Sequence, residues 1–202
     1  MNLIIVLILG ITVLVSFLSF SNRELFYKLS FNPYSIQERK QWYRYFSYAF
    51  IHADWFHLAI NMYVLYVFAD QVLDSFLFFF GPKGYLFFLL LYIGGIVFSV
   101  VKDYGQYKNE PMYNAVGASG AVSAIVFASI IILPSQKLFI FPLPIPLPAY
   151  IMGVLYLVYS AYMAKRGKDN IGHNAHFWGA VFGVVFTLVL RPSYFSEFIQ
   201  SL

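Results

Sequence analysis

Three short stretches of this chain carry residues whose types and spacing could do chemistry. Ser119 sits in Gly117-Ala118-Ser119-Gly120, His176 follows Ala175 and precedes Gly179, and His57 and Asn61 stand four residues apart. A serine and an imidazole within hydrogen-bond reach are the minimum for nucleophilic catalysis. The imidazole takes the hydroxyl proton during attack and returns it to the leaving amine. On the tetrapeptide alone a second reading stays open, in which Ser119 only caps a helix and its small neighbours serve packing. The soluble-hydrolase elbow Gly-x-Ser-x-Gly is not matched, because position 121 is alanine. The chain has no cysteine, which excludes disulfides, thiolate metal sites and a cysteine nucleophile.

The elements that must position these residues follow from composition. The chain is 60% hydrophobic, 21% aromatic and only 11% charged, with a mean hydropathy of +0.70. A soluble domain carries about a quarter charged residues to keep its surface wet, so lipid is the expected solvent. The net charge of +4 is scattered, with no basic run to suggest nucleic acid. A spanning helix needs about 20 apolar residues. The apolar runs, trimmed at Pro111, Gly117, Pro134 and the prolines up to Pro148, predict one all-α domain over 1–202 with six spans. Their expected bounds are about 2–20, 55–73, 84–101, 117–133, 148–164 and 174–190. Residues 1–22 lack the basic n-region of a cleaved signal and are read as a retained span. Asp70 and Asp74 are expected where the second span leaves the bilayer. The proline-rich 141–148 segment reads as a stiff polyproline loop. The first loop, rich in aromatics such as Trp42 and Tyr43, is expected in the membrane interface.

Six spans place loops 21–54, 102–116 and 165–172 on one side of the membrane. His52, His57, His173, His176, Asn61 and Ser119 then all fall on that side. Polar groups inside a bilayer are usually functional or bind helices together, and convergence on one cavity is expected. The uncharged run 111–118 should dip below the surface, which irregular backbone tolerates only in a wet cavity or buried in protein. A helix starting there offers free amides and a partial positive charge, the donors an oxyanion needs. Ala175, Gly179 and Gly183 recur every four residues, as do Gly120, Ala124 and Ala128. Small residues at that spacing let two helices approach closely. If the two faces meet, Ser119 and His176 flank the seam at matching height.

In these three stretches the chain resembles the rhomboid intramembrane serine proteases. That family carries Gly-x-Ser-Gly at the head of its fourth helix, Ala-His-x-x-Gly-x-x-x-Gly on its sixth, and a histidine-rich entry to its second ending His-x-x-x-Asn. Here the last reads His52-Ala53-Asp54-Trp55-Phe56-His57-Leu58-Ala59-Ile60-Asn61. The resemblance implies Ser119 as nucleophile and His176 as general base. It implies an oxyanion held by the Ser119 amide, His57 and Asn61, with Gly117, Gly120, His52 and Gly179 supporting the site; Ser123 is expected to support it on its own account. No metal or cofactor is implied. The partners implied are the lipid bilayer and transmembrane protein substrates, cut in or near a membrane segment, in the cell's inner or plasma membrane. In the family the fifth helix is thought to admit substrate laterally, and prolines 142–148 would hinge it. Two features depart from the pattern. The family's Trp-Arg pair is interrupted as Trp42-Tyr43-Arg44, and Ser123 stands where many members place an aromatic that stacks on the catalytic imidazole. The group orienting His176 is then expected to be the Ser123 hydroxyl, a water, or a tyrosine from another helix.

Two further classes compete with the protease. An inactive rhomboid-like protein that binds membrane helices would lack the serine or the histidine, and both are present. A metal-dependent protease or transporter could use His173 and His176, but no His-Glu-x-x-His occurs and the last three spans hold no carboxylate. His173 is read as an interfacial residue. Ten of the 13 basic residues fall on the serine side, which by the positive-inside rule faces the cytoplasm. Family precedent has the site facing out, and that orientation is the one expected.

Overall fold

Runs of apolar sequence free of proline become helices, and each ends where its backbone chemistry requires. The structure, a computed structural model, describes residues 1–140, 143–166 and 172–202. Helix α1 (Leu3–Ser21) is capped by the Asn2 side chain, which accepts from Ile4 N. The loop behind it folds into short helices α2 (Arg23–Leu29), α3 (Pro33–Arg39) and α4 (Arg44–Ser47), with a 3-10 turn at Tyr48–Phe50. Helix α5 (Trp55–Phe80) starts where the Asp54 carboxylate accepts from His57 N at 2.8 Å. It runs to Phe80 rather than to 73, because nothing between Val72 and Phe80 interrupts a helix. Gly81, at φ +57°, and Pro82 then stop it. Asp70 and Asp74 are therefore interior to the helix, and Asp70 accepts from Asn2 N at 3.1 Å.

Helix α6 (Lys83–Ser99) continues after a break at Val100 as α7 (Val101–Tyr107). Helix α8 (Ser119–Ile132) is the centre of the molecule, with Gly120 through Ile125 and Phe127 through Ile130 all buried. Helix α9 (Ala149–Arg166) buries only Ala149, Gly153 and Ser160. Helix α10 (His173–Leu190) and a short α11 (Ser193–Gln200) complete the chain. The core lies among α5, α6, α8 and α10. Helix α5 turns in Leu58, Met62, Leu65, Ala69, Val72 and Phe76, at the three-to-four spacing of one helical face. The outer faces leave Leu3, Leu14, Phe17, Tyr63 and Val189 exposed. Such a coat suits hydrocarbon and would drive aggregation in water.

The molecule is thus an all-α membrane bundle. Among the described residues four helices are long and apolar enough to cross a membrane: Leu3–Ser21, Trp55–Phe80, Lys83–Tyr107 and His173–Leu190. Helix α8 is apolar but has 14 residues, and α9 ends on Lys165 and Arg166.

The proline-rich segment departs from expectation. Residues Leu143–Pro148 form strand β2, antiparallel to β1 (Lys137–Ile140), with a register break between Phe139 and Ile140. Prolines at alternate positions can all turn their missing N–H away from the partner, so a two-stranded edge accepts what a sheet interior would not. Residues 141–142 of this loop and 167–171 of the loop expected at 165–172 lie outside the described residues.

Candidate active site

The nucleophile candidate stands at a helix start whose cap is unusual. Ala118, not Ser119, occupies the N-cap position, and no side chain caps α8. Ser119 is therefore the first helical residue, and its hydroxyl is not consumed in capping. The first amides of α8 are also left without intrahelical acceptors, as at any helix start.

The loop ahead of Ser119 is sewn to the rest of the fold. Phe31 and Ala115 exchange backbone hydrogen bonds, both at 2.9 Å. Asn32 donates Nδ2 to Pro111 O at 3.0 Å and to Tyr113 O at 2.8 Å. Gly117 N–H donates to Tyr48 O at 2.9 Å. Gly117 itself adopts φ +113°, and a Cβ there would lie 2.7 Å from His57 Cε1 and 3.0 Å from His57 Nε2. Only glycine satisfies both the angle and the space. The His57 imidazole thus presses on the backbone just before the serine.

His52 holds the next residue. It is fully buried. Its Nε2 accepts from Ala118 N at 3.4 Å and its Nδ1 lies 3.0 Å from Ser16 Oγ, which donates to Phe50 O at 3.0 Å. One direction of donation satisfies the series: Nδ1–H to Ser16, Ser16 O–H to Phe50, and a bare Nε2 for Ala118. Burial first, and the neighbouring His57 second, hold the His52 pKa down to about 3, so the ring stays neutral. Its ring meets His57 edge-on at 5.0 Å. Asn61 is buried and donates Nδ2 to His57 O at 2.9 Å, which leaves one N–H of that amide.

The histidine candidate is brought to the serine by glycine packing. A Cβ on Gly179 would overlap Gly120 O, and one on Gly183 would overlap Ala124 O. Helices α8 and α10 therefore touch backbone to backbone. A Cβ on Gly120 would overlap Ser99 and lie 3.5 Å from Ala175 O. Ser119 and His176 are the chain neighbours of those two contacting residues, and both are half-buried. Among the described residues no hydrogen bond joins their side chains, and catalytic contacts of this kind often tighten only once substrate is bound.

Against His176 lies Tyr156 of α9, with ring centroids 6.3 Å apart and planes 22° from parallel. The Tyr156 hydroxyl is 3.1 Å from Ser123 Oγ. Of the two protein groups expected to orient His176, the tyrosine from another helix stacks on the ring, and Ser123 reaches that tyrosine. His173 is buried, its ring 6.1 Å from that of His176 and edge-on to Tyr159. Sequence reading did not single out Tyr156, since α9 also holds Tyr150, Tyr159 and Tyr162 and spacing does not choose among them. It also missed Asp103 and Asn174, whose only signal was a carboxylate at the end of the third span and an amide between two histidines. Among the described residues no group of three or more His, Asp or Glu could hold a metal.

A helical bundle in lipid with a serine loop and two histidine-bearing helix heads facing one buried seam defines a class, the polytopic membrane proteins with an internal polar site. The chain belongs to the rhomboid family: the Rhomboid domain matches residues 39–193. It is 30% identical over 162 residues, 73% of its length, to RHOMBOID-like protein 12, mitochondrial, of Arabidopsis thaliana, covering 46% of that protein. It is 27% identical over 145 residues, 67% of its length, to the human Presenilin-associated rhomboid-like protein, mitochondrial, covering 34% of it. The zebrafish Presenilin-associated rhomboid-like protein A, mitochondrial, matches at 27% over 146 residues. The chain therefore spans less than half the length of these curated relatives.

Proposed function

We propose that this chain is an intramembrane serine protease that crosses the membrane six times, α8 and α9 included. It hydrolyses peptide bonds in or near transmembrane segments of other proteins. The observation that carries the reading is the glycine seam, which sets Ser119 and His176 beside one contact at the heads of two helices, with uncapped amides alongside.

In this reading His176 removes the Ser119 proton as Oγ attacks the scissile carbonyl carbon. The oxyanion is received by the Ser119 amide, the remaining N–H of Asn61 and the His57 ring. His176 then returns the proton to the departing amine, and water hydrolyses the acyl-serine by the reverse sequence. Tyr156 supplies from α9 the flat surface that holds the imidazole. The substrate must present extended backbone, so segments containing Gly or Pro, which fray most readily, are favoured. Helix α9, which buries so little, is the side through which such a segment would enter.

The proposed location is the cell's inner or plasma membrane; the mitochondrial location in the relatives' names is a property of those proteins, and fractionation separates the two. The site is proposed to face away from the cytoplasm. Arg44 bears on that orientation, because it is 7% exposed and bound to backbone carbonyls, and so is not a free loop charge. Accessibility of tags at each terminus tests the orientation. The activity is tested by incubating purified wild-type and Ser119→Ala protein with a transmembrane substrate in detergent. Wild type should cleave and the variant should not. Cleavage by both removes Ser119 as nucleophile, and cleavage by neither assigns the chain to the non-catalytic members that only bind helices.

A further inference from the structure

The serine loop and the histidine helix share one anchor outside the site. Asp103 on α7 is 2% exposed. Its Oδ2 accepts from the Tyr113 hydroxyl at 2.9 Å, and its Oδ1 accepts from Asn174 Nδ2 at 3.1 Å. Tyr113 stacks on Tyr107 at 3.8 Å, four residues ahead of Gly117. Asn174 lies two residues ahead of His176, and its Oδ1 accepts from Lys102 Nζ at 3.1 Å. Lys102 can only donate and Asp103 as a carboxylate can only accept, so the Asn174 amide has one orientation. Burial first, then Asp103, pushes the Tyr113 phenol up, so it remains a donor.

We infer that Asp103 is a positioning residue that sets the separation of Ser119 and His176 by holding both their supports. The inference rests on the protease reading. Asp103→Asn leaves two donors competing for one carbonyl oxygen, and Asn174→Asp sets two carboxylates face to face. Together they restore every bond: the amide introduced at position 103 would donate to the carboxylate introduced at 174, Lys102 would pair with that carboxylate, and Tyr113 would donate to the new amide oxygen. The test is turnover of a transmembrane substrate and the rate at which a fluorophosphonate labels Ser119, both per labelled molecule. Each single change should lower both roughly 10- to 100-fold with KM little altered, and the exchange should return them to within about threefold. Normal rates in the single variants, or an exchange as impaired as the product of the singles, overturns the inference. A wild type whose cleavage does not depend on Ser119 overturns the protease reading instead.

A different observation concerns the first loop. Arg44 donates Nε to Gln41 Oε1 and Nη1 to Tyr27 O and Ser30 O. No carboxylate pairs with this nearly buried guanidinium among the described residues, and Nη2 makes no hydrogen bond there. A buried charge without a counter-ion is costly. Arg44 lines a cavity of about 250 Å³ together with Tyr27, Asn32, Tyr34, Arg39 and Asn114, and no carboxylate borders it. Exposed Trp42 and Tyr43 stand on the same loop, as interface residues do. We propose that this cavity takes a phosphate ester, supplied by a phospholipid headgroup.

Native mass spectrometry of the delipidated full chain tests it, with phosphatidylglycerol, diacylglycerol and inorganic phosphate as probes. Arg39 is exposed and its side chain makes no hydrogen bond or ion pair among the described residues, so Arg39→Gln carries the test and Arg44→Gln supplements it. Wild type should retain phosphatidylglycerol at least about fivefold better than diacylglycerol, and Arg39→Gln should lose most of that preference. Equal retention of the two lipids, or a preference unchanged in Arg39→Gln, overturns the site. Inorganic phosphate that displaces the lipid completely at equal concentration overturns the lipid as its source.

Discussion

Helix α8 meets two of its neighbours, α10 and α9, in opposite ways. Against α10 it lies backbone to backbone, with Gly120 under Gly179 and Ala124 under Gly183. Against α9 it meets side chains, with Phe127 and Ile130 packed near Ala149, Tyr156 and Leu157. The first contact has no side chain that can give way, so it holds one geometry. The second can re-pack by rotamer changes. In the protease reading, a rigid interface keeps the reactive pair in register while a compliant one admits a polypeptide, and the same helix carries both.

The sharpest way to break this contrast is to add bulk to the seam. Gly179→Val would drive a side chain into Gly120 O and should cost about 3 kcal/mol or more, with loss of both folding and cleavage. Thermal unfolding in detergent and substrate turnover measure it. Next in size is the imidazole's platform. Tyr156→Ala should lower turnover roughly tenfold by removing the stacked ring. Tyr156→Phe keeps the ring, loses the hydroxyl that reaches Ser123, and should fall no more than about fivefold. Should Tyr156→Phe be as damaged as Tyr156→Ala, the hydroxyl and not the stack orients His176. Ser123→Ala, which removes the same contact from the other side, should match Tyr156→Phe.

On the compliant side, Gly153→Ala places a Cβ 3.1 Å from Ile130 Cδ1, the far end of a flexible side chain. The crowding and the gain in helix propensity should offset, leaving stability within about 1 kcal/mol of wild type. A loss as large as that at Gly179 would erase the difference between the two interfaces. The smallest effect lies beyond both, at the carboxyl end, where Arg191 pairs with Glu197 at 2.6 Å. The hydrogen bond from Arg191 holds the Glu197 carboxyl below its ordinary value. A depressed carboxyl contributes stability above its unfolded pKa and loses it as pH falls through the folded one. Wild type and Glu197→Gln should therefore differ slightly in thermal unfolding near neutrality, and the difference should vanish once acid protonates the carboxyl in both folded and unfolded chains.

Much of the bundle was legible because its signals are local and chemical. The stripe of small residues named the seam, since only Gly and Ala permit that approach and both helices carry them in step. Gly117 was legible for the same reason, being of the type its backbone angle and its contact with His57 require. What sequence could not supply was pairing across distance. Nothing in α9 distinguishes Tyr156 from its three companion tyrosines until α9 is packed on α10. Nothing near Asp103 announces Tyr113 or Asn174. The strand Leu143–Pro148 was misread because polyproline and an edge strand share nearly the same backbone angles, and a partner strand alone decides between them. The extension of α5 past 73 was missed because charged residues were taken to end a span, although Asp70 and Asp74 sit inside a continuous helix.

The first span carries a consequence through His52. A single neutral imidazole spans the gap from Ser16 to the Ala118 amide, one residue before Ser119. Lateral drift of α1 in the lipid, or a cut between α1 and α2, would therefore unlatch the entrance of α8 and slacken the hold on Ser119. The helix most distant in sequence from Ser119 is in this sense part of its restraint.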